Sequence, residues 1–263
     1  MSRPVPFCWY ELMTTDAEAA GAFYGKVIGW TLSPANPSSP MDYRMILRCN
    51  GAPIGGLLQL TADMQAGGAR PAWVPYLATE DFDAALGATM ADGARALMPR
   101  TDIAEGSFAM MLDPQGAPFY LMKPQPPEGS PDGQSHAFKA DGVQHARWNE
   151  LSTTDPVAAR AFYARHFGFG FHNSMPMGDA GEYAFIDFDG QALGAIMPIM
   201  DPSRPPAWLT YFGVPSVMAA KVAVEQAGGT VMTGPHEVPG GDWIVVATDP
   251  QGAVFGVVGP EGE

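Results

Sequence analysis

The pattern of apolar and polar positions first becomes clear at an apolar strand followed by an amphipathic helix. Residues 9–16 read Trp-Tyr-Glu-Leu-Met-Thr-Thr-Asp, an apolar run that ends in polar residues. Asp16 is a residue type that caps helix N-termini. The apolar positions after it have the spacing i, i+3, i+4, i+7 of one buried helix face: Ala20, Phe23, Tyr24 and Val27. The pattern therefore predicts a strand and then a helix that ends near Gly29.

The same pattern occurs a second time in the chain. Residues 148–155 read Trp-Asn-Glu-Leu-Ser-Thr-Thr-Asp, and the helix behind them carries Phe162 and Tyr163. The offset between the copies is 139 positions, the difference between Trp148 and Trp9. Within each strand the Trp and the Glu are two residues apart, so both side chains are expected on one face. An internal repeat of this kind indicates a doubled architecture.

Short strands separated by turn residues follow each of these helices. Residues 42–49 and 52–60 predict a hairpin about Asn50-Gly51, a dipeptide that favours a type I′ turn. The corresponding segments in the second copy are 182–188 and 191–199, which meet at Asp189-Gly190.

The order of strand, helix and strands then starts again in both halves. Strands are predicted from Pro71 to Thr79 and from Pro206 to Val214, with helices at 82–92 and 216–227. A short strand and a hairpin come next, and the hairpins pair 107–112 with 116–123 and 243–248 with 252–258. Each hairpin turns on Asp-Pro-Gln-Gly, the composition of a type I turn, so we assign Asp113 and Asp249 a structural role. The chain thus predicts four βαβββ modules, paired into two halves.

The two halves are joined by a segment of different composition. Residues 124–142 are rich in Pro, Gly, Ser and Asp and show no periodicity, which predicts an extended or flexible linker. The predicted domains are therefore 1–123 and 143–263.

Composition narrows the classes of function. The 263 residues are 46% hydrophobic and 16% charged, which is typical of a globular protein. A net charge of −14 argues against nucleic acid and anionic membrane surfaces as partners, because both attract clustered Lys and Arg. The two cysteines do not form a disulfide framework, and no apolar run approaches the roughly 18 residues of a membrane helix. We therefore expect a cytoplasmic protein.

Three motifs together resemble a known superfamily. They are the strand ending Thr-Thr-Asp, the helix Ala-Gly-Ala-Phe-Tyr or Ala-Arg-Ala-Phe-Tyr with its Gly stop, and the Asp-Pro-Gln-Gly-Ala hairpin. With this order of modules the chain resembles doubled-domain, glyoxalase-like members of the vicinal oxygen chelate superfamily, which includes glyoxalase I, bleomycin-resistance proteins and extradiol dioxygenases. The resemblance covers nearly the whole chain outside the linker. It implies an α+β fold of two tandem domains, each of two βαβββ modules that form a curved mixed sheet round a cavity. It does not fix the activity, because this superfamily hosts several chemistries.

The resemblance also implies where a metal would bind. In metal-using members the ligands are a His or Gln on the first strand, a His or Glu on the first strand of the second module, and a Glu on the last strand. The matching positions are Trp9, Val74 and Tyr120 in the first half and Trp148, Leu209 and Gly256 in the second. An indole offers no lone pair to a metal, and Val, Leu and Gly have no ligating side chain. We therefore predict no metal site and no cofactor.

Glu11 and Glu150 are the candidate catalytic residues. Each lies in an apolar strand on the same face as the Trp, and a carboxylate in an apolar cavity acquires a raised pKa suited to a general base or acid. It is equally able to anchor a ligand hydroxyl or amine. The structural alternative is a carboxylate held by backbone groups or by a buried arginine, with Arg44 and Arg147 as candidates.

Aromatic side chains supply the candidate ligand-binding residues. Trp9 and Trp148 could stack on a planar ligand, or could fill the space of the missing metal. Tyr76 and Tyr211 lie one pleat beyond the expected metal positions. The remaining candidates are Tyr120, Trp73 and Trp208. The two pockets are not expected to be equivalent, because Gly256 stands where the first half has Tyr120.

These observations favour a binder of a small apolar or aromatic molecule that does not use the usual metal. A second hypothesis is a divalent-metal-dependent lyase or dioxygenase whose atypical ligand set combines Glu11 or Glu150 with a histidine. The histidines are His136, His145, His166, His172 and His236, and they share no metal-binding spacing. A third is a protein-interaction module without a ligand. A monomer or weak homodimer is expected, since two fused domains can supply each other's partner sheet.

Overall fold

The computed structural model describes residues 5–125 and 135–262. The first half contains β1 (Phe7–Thr14), α1 (Ala17–Val27), β2 (Thr31–Leu32), β3 (Tyr43–Leu47), β4 (Pro53–Gln59), α2 (Ala62–Ala66), β5 (Ala72–Ala78), α3 (Phe82–Ala91), β6 (Arg95–Ala96), β7 (Thr101–Ile103), β8 (Gly106–Leu112) and β9 (Pro118–Pro124). The second half contains β10 (Ala146–Thr153), α4 (Pro156–Phe167), β11 (Ser174–Pro176), a 3-10 helix (Gly178–Ala180), β12 (Glu182–Phe188), β13 (Gln191–Pro198), β14 (Ala207–Gly213), α5 (Val217–Gln226), β15 (Thr230–Glu237), β16 (Trp243–Thr248) and β17 (Val254–Gly259).

Each half forms one mixed sheet with the same topology. The first sheet has the order β2-β3-β4-β1-β5-β9-β8-β6, with β7 paired to β8, and the second has β11-β12-β13-β10-β14-β17-β16-β15. β1 and β4 are parallel, as are β5 and β9, whereas β3–β4 and β8–β9 are antiparallel hairpins. The α+β architecture of two tandem domains is therefore confirmed.

The helices begin at the residues that their caps predict. The Asp16 side chain accepts the backbone N–H of Ala19, and Asp155 accepts that of Ala158. Gly168 ends α4 in the left-handed conformation, with φ 70°. These contacts satisfy backbone groups that a helix end leaves unpaired.

One predicted turn is wrong. A type I′ turn needs positive φ at both central residues, and Asp189 (φ 49°) and Gly190 (φ 80°) meet that condition. Among the described residues other than glycine, only Gln144 and Asp189 have positive φ, so Asn50 does not. The first hairpin has a longer loop, because β3 ends at Leu47 and β4 begins at Pro53, and within it Gly51 donates its N–H to the carbonyl of Arg48.

The contacts between Cα atoms divide the chain into two compact units, each drawn from both halves of the sequence. The described residues of compact unit 1 lie within Met1–Cys8, Pro75–Ser135 and Trp148–Leu209, and those of compact unit 2 within Trp9–Val74, His136–Arg147 and Thr210–Glu263. The second module is thus grouped with the third, and the first with the fourth. The domain limits at 1–123 and 143–263 stay a prediction.

Aromatic side chains form the core of each compact unit. In compact unit 2, Tyr24 of α1 contacts Phe255 (ring centroids 5.2 Å apart) and Trp30 contacts Phe212 (4.8 Å). In compact unit 1, Tyr163 of α4 stacks on Phe169 (5.9 Å), and Phe7 meets Trp208 edge to face (5.4 Å). Burying such large rings is a main source of stability.

The predicted linker is only partly described, since residues 126–134 fall outside the described ranges. Its described end is packed, because Ala137 and Phe138 are buried and Lys139 donates its N–H to the carbonyl of Ala146. The linker at 124–142 stays a prediction. Among the described residues, none of the helices has the length and apolar character that a membrane span requires.

Candidate functional site

Trp9 and Glu11 lie on one face of β1, together with a tyrosine from β3. Glu11 is 3% exposed and lies on the same face as Trp9 because strand side chains alternate. The indole N–H of Trp9 donates to the hydroxyl of Tyr43 on β3, at 3.0 Å. We call Trp9, Tyr43 and Glu11 the first-half cluster.

The equivalent residues of the second half form a continuous hydrogen-bond chain. The indole N–H of Trp148 donates to the hydroxyl of Tyr183 (2.8 Å), and that hydroxyl donates to Oε2 of Glu150 (2.8 Å). Trp148, Tyr183 and Glu150 are each partly exposed. We call them the second-half cluster. The tyrosine hydroxyl orients both partners, and its bond to a carboxylate is of the stronger, charge-assisted kind.

The two tyrosines were missed by sequence reasoning. Tyr43 is the first residue of β3 and Tyr183 the second residue of β12, and they lie 140 positions apart, one more than the repeat offset. Comparing the two copies beyond the strand and helix would have found them. The arginines suggested as partners for the glutamates are engaged elsewhere, because Arg44 donates to Asp42 and Glu18, and Arg147 to Asp242.

The predicted tyrosine positions differ between the halves. In compact unit 1 the rings of Tyr76 and Tyr120 stack with centroids 4.1 Å apart. In compact unit 2, Tyr211 pairs with Gly256, and a Cβ built on Gly256 would overlap the Tyr211 ring. Gly256 therefore does not leave the extra room that its missing side chain suggested, since the tyrosine ring takes that space.

Trp73 and Trp208 lie in buried hydrogen-bond chains on the helix side of their sheets. Trp73 donates to the hydroxyl of Tyr24 (2.8 Å), which donates to Oδ2 of Asp249 (3.1 Å). The repeat of this chain runs from Trp208 to Tyr163 (3.2 Å) to Asp113 (3.0 Å). A ligand contact by either indole stays a prediction. Trp73 and Trp208 lie on the face of their strands opposite to Tyr76 and Tyr211, which argues for a structural role of the two tryptophans.

Asp113 and Asp249 combine a turn with this buried contact. Oδ1 of Asp113 accepts the backbone N–H groups of Gln115, Gly116 and Ala117 at 2.8–2.9 Å. Asp249 does the same for Gln251 and Ala253. Burial raises the pKa of both carboxyls above the ordinary value, against the opposing effect of these hydrogen bonds. Burial and the neighbouring carboxylate raise the pKa of Tyr24 and Tyr163 well above the ordinary tyrosine value.

His145, His166 and His172 have hydrogen-bond partners other than the two glutamates. His145 accepts a hydrogen bond from Arg48 through Nε2 (2.7 Å) and donates through Nδ1 to the carbonyl of His136 (2.8 Å). Burial and the Arg48 charge lower the pKa of His145. His166 and His172 pair with Asp92 and Asp187.

A groove of about 410 Å³ lies beside the start of α3, and none of its lining residues belongs to either cluster. It is lined by Asp81, Phe82, Asp83, Arg100, Gly106, Ser107, Lys123, Pro124 and Gln125. Its charges largely neutralise one another, since Arg100 binds Asp83 and Asp102.

The residues at the expected metal positions do not fit a metal. They offer indole, aliphatic, phenol and glycine groups where imidazole or carboxylate is needed. Within residues 5–125 and 135–262, no group of three or more His, Cys, Asp or Glu side chains is arranged to hold an ion.

Comparison with known proteins agrees with this architecture. A model described as "Glyoxalase-like domain" matches residues 9–122, and one described as "Glyoxalase/Bleomycin resistance protein/Dioxygenase superfamily" matches residues 142–257. The chain is 30% identical over 253 residues to the "Putative glyoxylase CFP32" of Mycobacterium bovis and of Mycobacterium tuberculosis, covering 96% of this chain and 94% of each relative. The chain belongs to the glyoxalase, bleomycin-resistance and dioxygenase superfamily, which is the vicinal oxygen chelate superfamily.

More distant relatives carry different names. The "Anthracycline biosynthesis protein DnrV" of Streptomyces peucetius is 25% identical over 262 residues, covering 95% of this chain and 91% of that protein. The Mn(II)-bound glyoxalase from Novosphingobium aromaticivorans has a TM-score of 0.67 at 18% identity, covering 100% of this chain and 84% of that one. The second likeness shows the fold alone.

Proposed function

We propose that this protein binds a small apolar or aromatic metabolite at one or both of its Trp–Tyr–Glu clusters, without the metal that many members of its superfamily use. The observation that carries the proposal is the hydrogen-bond chain from Trp148 through Tyr183 to Glu150. It holds an aromatic face and a carboxylate in fixed positions next to each other.

The chemistry of the second-half cluster defines the ligand class. The indole N–H of Trp148 is occupied by Tyr183, so the tryptophan offers its apolar face. A carboxylate has about four lone-pair sites, so Glu150 can accept a further hydrogen bond beside that of Tyr183. The ligand that fits is planar and carries a hydroxyl or amine. The name of the Streptomyces peucetius relative agrees with this class, because anthracyclines are polycyclic aromatic molecules with hydroxyl groups.

A matched set of naphthalenes tests the proposal by isothermal titration calorimetry. 2-Naphthol presents a ring and a hydroxyl donor, 2-methoxynaphthalene lacks the donor, and 2-naphthoate carries a negative charge. We expect 2-naphthol to bind most tightly, the methyl ether more weakly and the anion weakest. The reason is that the carboxylate of Glu150 accepts a hydrogen bond from a hydroxyl donor and repels a negative charge.

The substitution Glu150→Gln should weaken 2-naphthol binding about tenfold, since a hydrogen bond to a charged group contributes roughly 1.5–3 kcal/mol. The melting temperature should change little. Titration after dialysis against EDTA is the control, and it should give the same affinity. A large loss of stability with unchanged binding would assign Glu150 to the scaffold, and binding that needs a divalent ion would favour a metal-dependent lyase or dioxygenase.

We also propose that the protein acts in the cytoplasm. The thiols of Cys8 and Cys49 are free, which suits a reducing cytoplasm. We propose a monomer or weak homodimer, and light scattering coupled to size exclusion would measure the mass.

A further inference from the structure

The clusters of the two halves differ at one backbone position. In the first half Glu11 of β1 is paired with Gly56 of β4, and in the second half Glu150 of β10 is paired with Ala195 of β13. Paired residues of neighbouring strands present their side chains on the same face. Gly56 and Ala195 are therefore equivalent neighbours of the two carboxylates, and they differ by a methyl group.

The missing methyl group at Gly56 decides where Tyr43 lies. A Cβ built on Gly56 would overlap the hydroxyl and the ring of Tyr43, so the phenol rests directly over this glycine. In the second half the Cβ of Ala195 is present and fully buried, and the hydroxyl of Tyr183 donates to Oε2 of Glu150. The equivalent tyrosines Tyr43 and Tyr183 thus have different neighbours at this position: a glycine in the first half and an alanine in the second.

The carboxylate-bearing face is more buried in β1 than in β10. Glu11 is 3% exposed and Met13, the next residue on that face, is buried. Their counterparts Glu150 and Ser152 are both partly exposed. A ligand reaches a carboxylate only where the carboxylate has accessible surface, so the halves do not offer equal sites.

We infer that the two halves are specialised, with Glu150 as the ligand-binding carboxylate and Gly56 as the position that closes the first half by admitting Tyr43. This inference rests on the proposed function and adds to it the stoichiometry of one ligand per chain. Tyr183 is then a positioning residue, because its hydroxyl is hydrogen-bonded to both the indole of Trp148 and the carboxylate of Glu150.

Calorimetric titration of the full chain with 2-naphthol tests this inference. The unaltered protein should bind one molecule per chain, Glu150→Gln should weaken binding about tenfold, and Glu11→Gln should leave the affinity within about twofold. Tyr43→Ala removes the phenol over Gly56, and a second binding event should appear. Tyr43→Phe keeps the ring and is the matched control, so it should stay at one molecule per chain.

Gly56→Ala is the complementary variant, because the new methyl group must displace Tyr43 and should also open the first half. If it fails to fold, Tyr43→Ala alone decides. Two equal sites in the unaltered protein, or one site in folded Tyr43→Ala, would overturn the specialisation while leaving the proposed function intact. No binding of any naphthalene would overturn both.

Discussion

At the scale of single residues, the buried carboxylates Asp113 and Asp249 do more than their turn composition indicates. The carboxyl group of Asp249 accepts backbone N–H groups through one oxygen and the Tyr24 hydroxyl through the other. Each turn is thereby fixed to a helix from the opposite half of the sequence. Removing such a group leaves buried donors unpaired, which costs more than the net value of the hydrogen bonds themselves.

The substitution Asp249→Ala should lower the free energy of unfolding by roughly 2–4 kcal/mol, because several buried donors lose their acceptor. Asp249→Asn keeps an acceptor of nearly the same shape and should cost less. Chemical denaturation of both variants at one pH measures the difference. Equal losses would show that the acceptor kept by Asp249→Asn contributes nothing to the stability of the turn.

The raised pKa of Asp249 also predicts a pH dependence. A carboxyl whose pKa is raised by folding contributes stability that is fully present below the unfolded value of about 4. That contribution is lost as the pH rises through the folded-state pKa. The melting temperature of the unaltered protein should therefore fall relative to that of Asp249→Asn as the pH increases from about 4. A difference that grows in the opposite direction would contradict the direction of the shift.

At the scale of elements, the end of α1 is fixed by a residue that follows the predicted linker. The side-chain amide of Gln144 donates to the carbonyl groups of Ile28 and Gly29 and accepts the N–H of Cys49. Its backbone carbonyl accepts the indole N–H of Trp30 at 3.1 Å. These contacts satisfy carbonyl groups that a helix end leaves free, and they hold Gln144 in a left-handed conformation, with φ 64°.

The substitution Gln144→Ala should destabilise the protein by roughly 1–3 kcal/mol, because buried backbone groups at the end of α1 lose their partner. The loss should be local, so hydrogen exchange should speed up most at Ile28, Gly29 and Cys49. Gln144→Glu is the comparison variant, since it can still accept the N–H of Cys49 but has no amide to donate. A uniform change in exchange along the chain would argue against this local role.

At the scale of the whole molecule, neither half of the sequence contains a complete compact unit. Each compact unit needs a module from the first half and one from the second. The buried Tyr24–Asp249 and Tyr163–Asp113 contacts are part of this exchange, and they join residues 225 and 50 positions apart. We therefore expect that neither half of the sequence folds stably by itself.

Fragments 1–134 and 135–263, produced separately, should each lack cooperative unfolding, because each would expose the aromatic face that its partner covers. Mixing the two should restore a single transition in calorimetry. The full chain measured under the same conditions is the control. A fragment that melts cooperatively as a monomer would show that a half is an independent folding unit.

Local sequence patterns were sufficient for much of this fold. Asp16 and Asp155 cap their helices, Asp189-Gly190 forms its turn and the Asp-Pro-Gln-Gly hairpins occur where the composition predicts them. These features depend on neighbours within about five residues, so their chemistry is visible in the sequence. The internal repeat extended the same inference to the second half. The superfamily followed from these motifs and is confirmed.

The partners of buried polar groups were decided only by the tertiary structure. Tyr43 lies across Gly56, Tyr24 meets Asp249, and Gln144 supports the end of α1, each because distant strands and helices converge. The periodicity of a helix shows that Tyr24 is buried, but it carries no information about which acceptor its hydroxyl finds. For the same reason the sequence showed two similar carboxylates, Glu11 and Glu150, while their different burial depends on how the neighbouring strands pack.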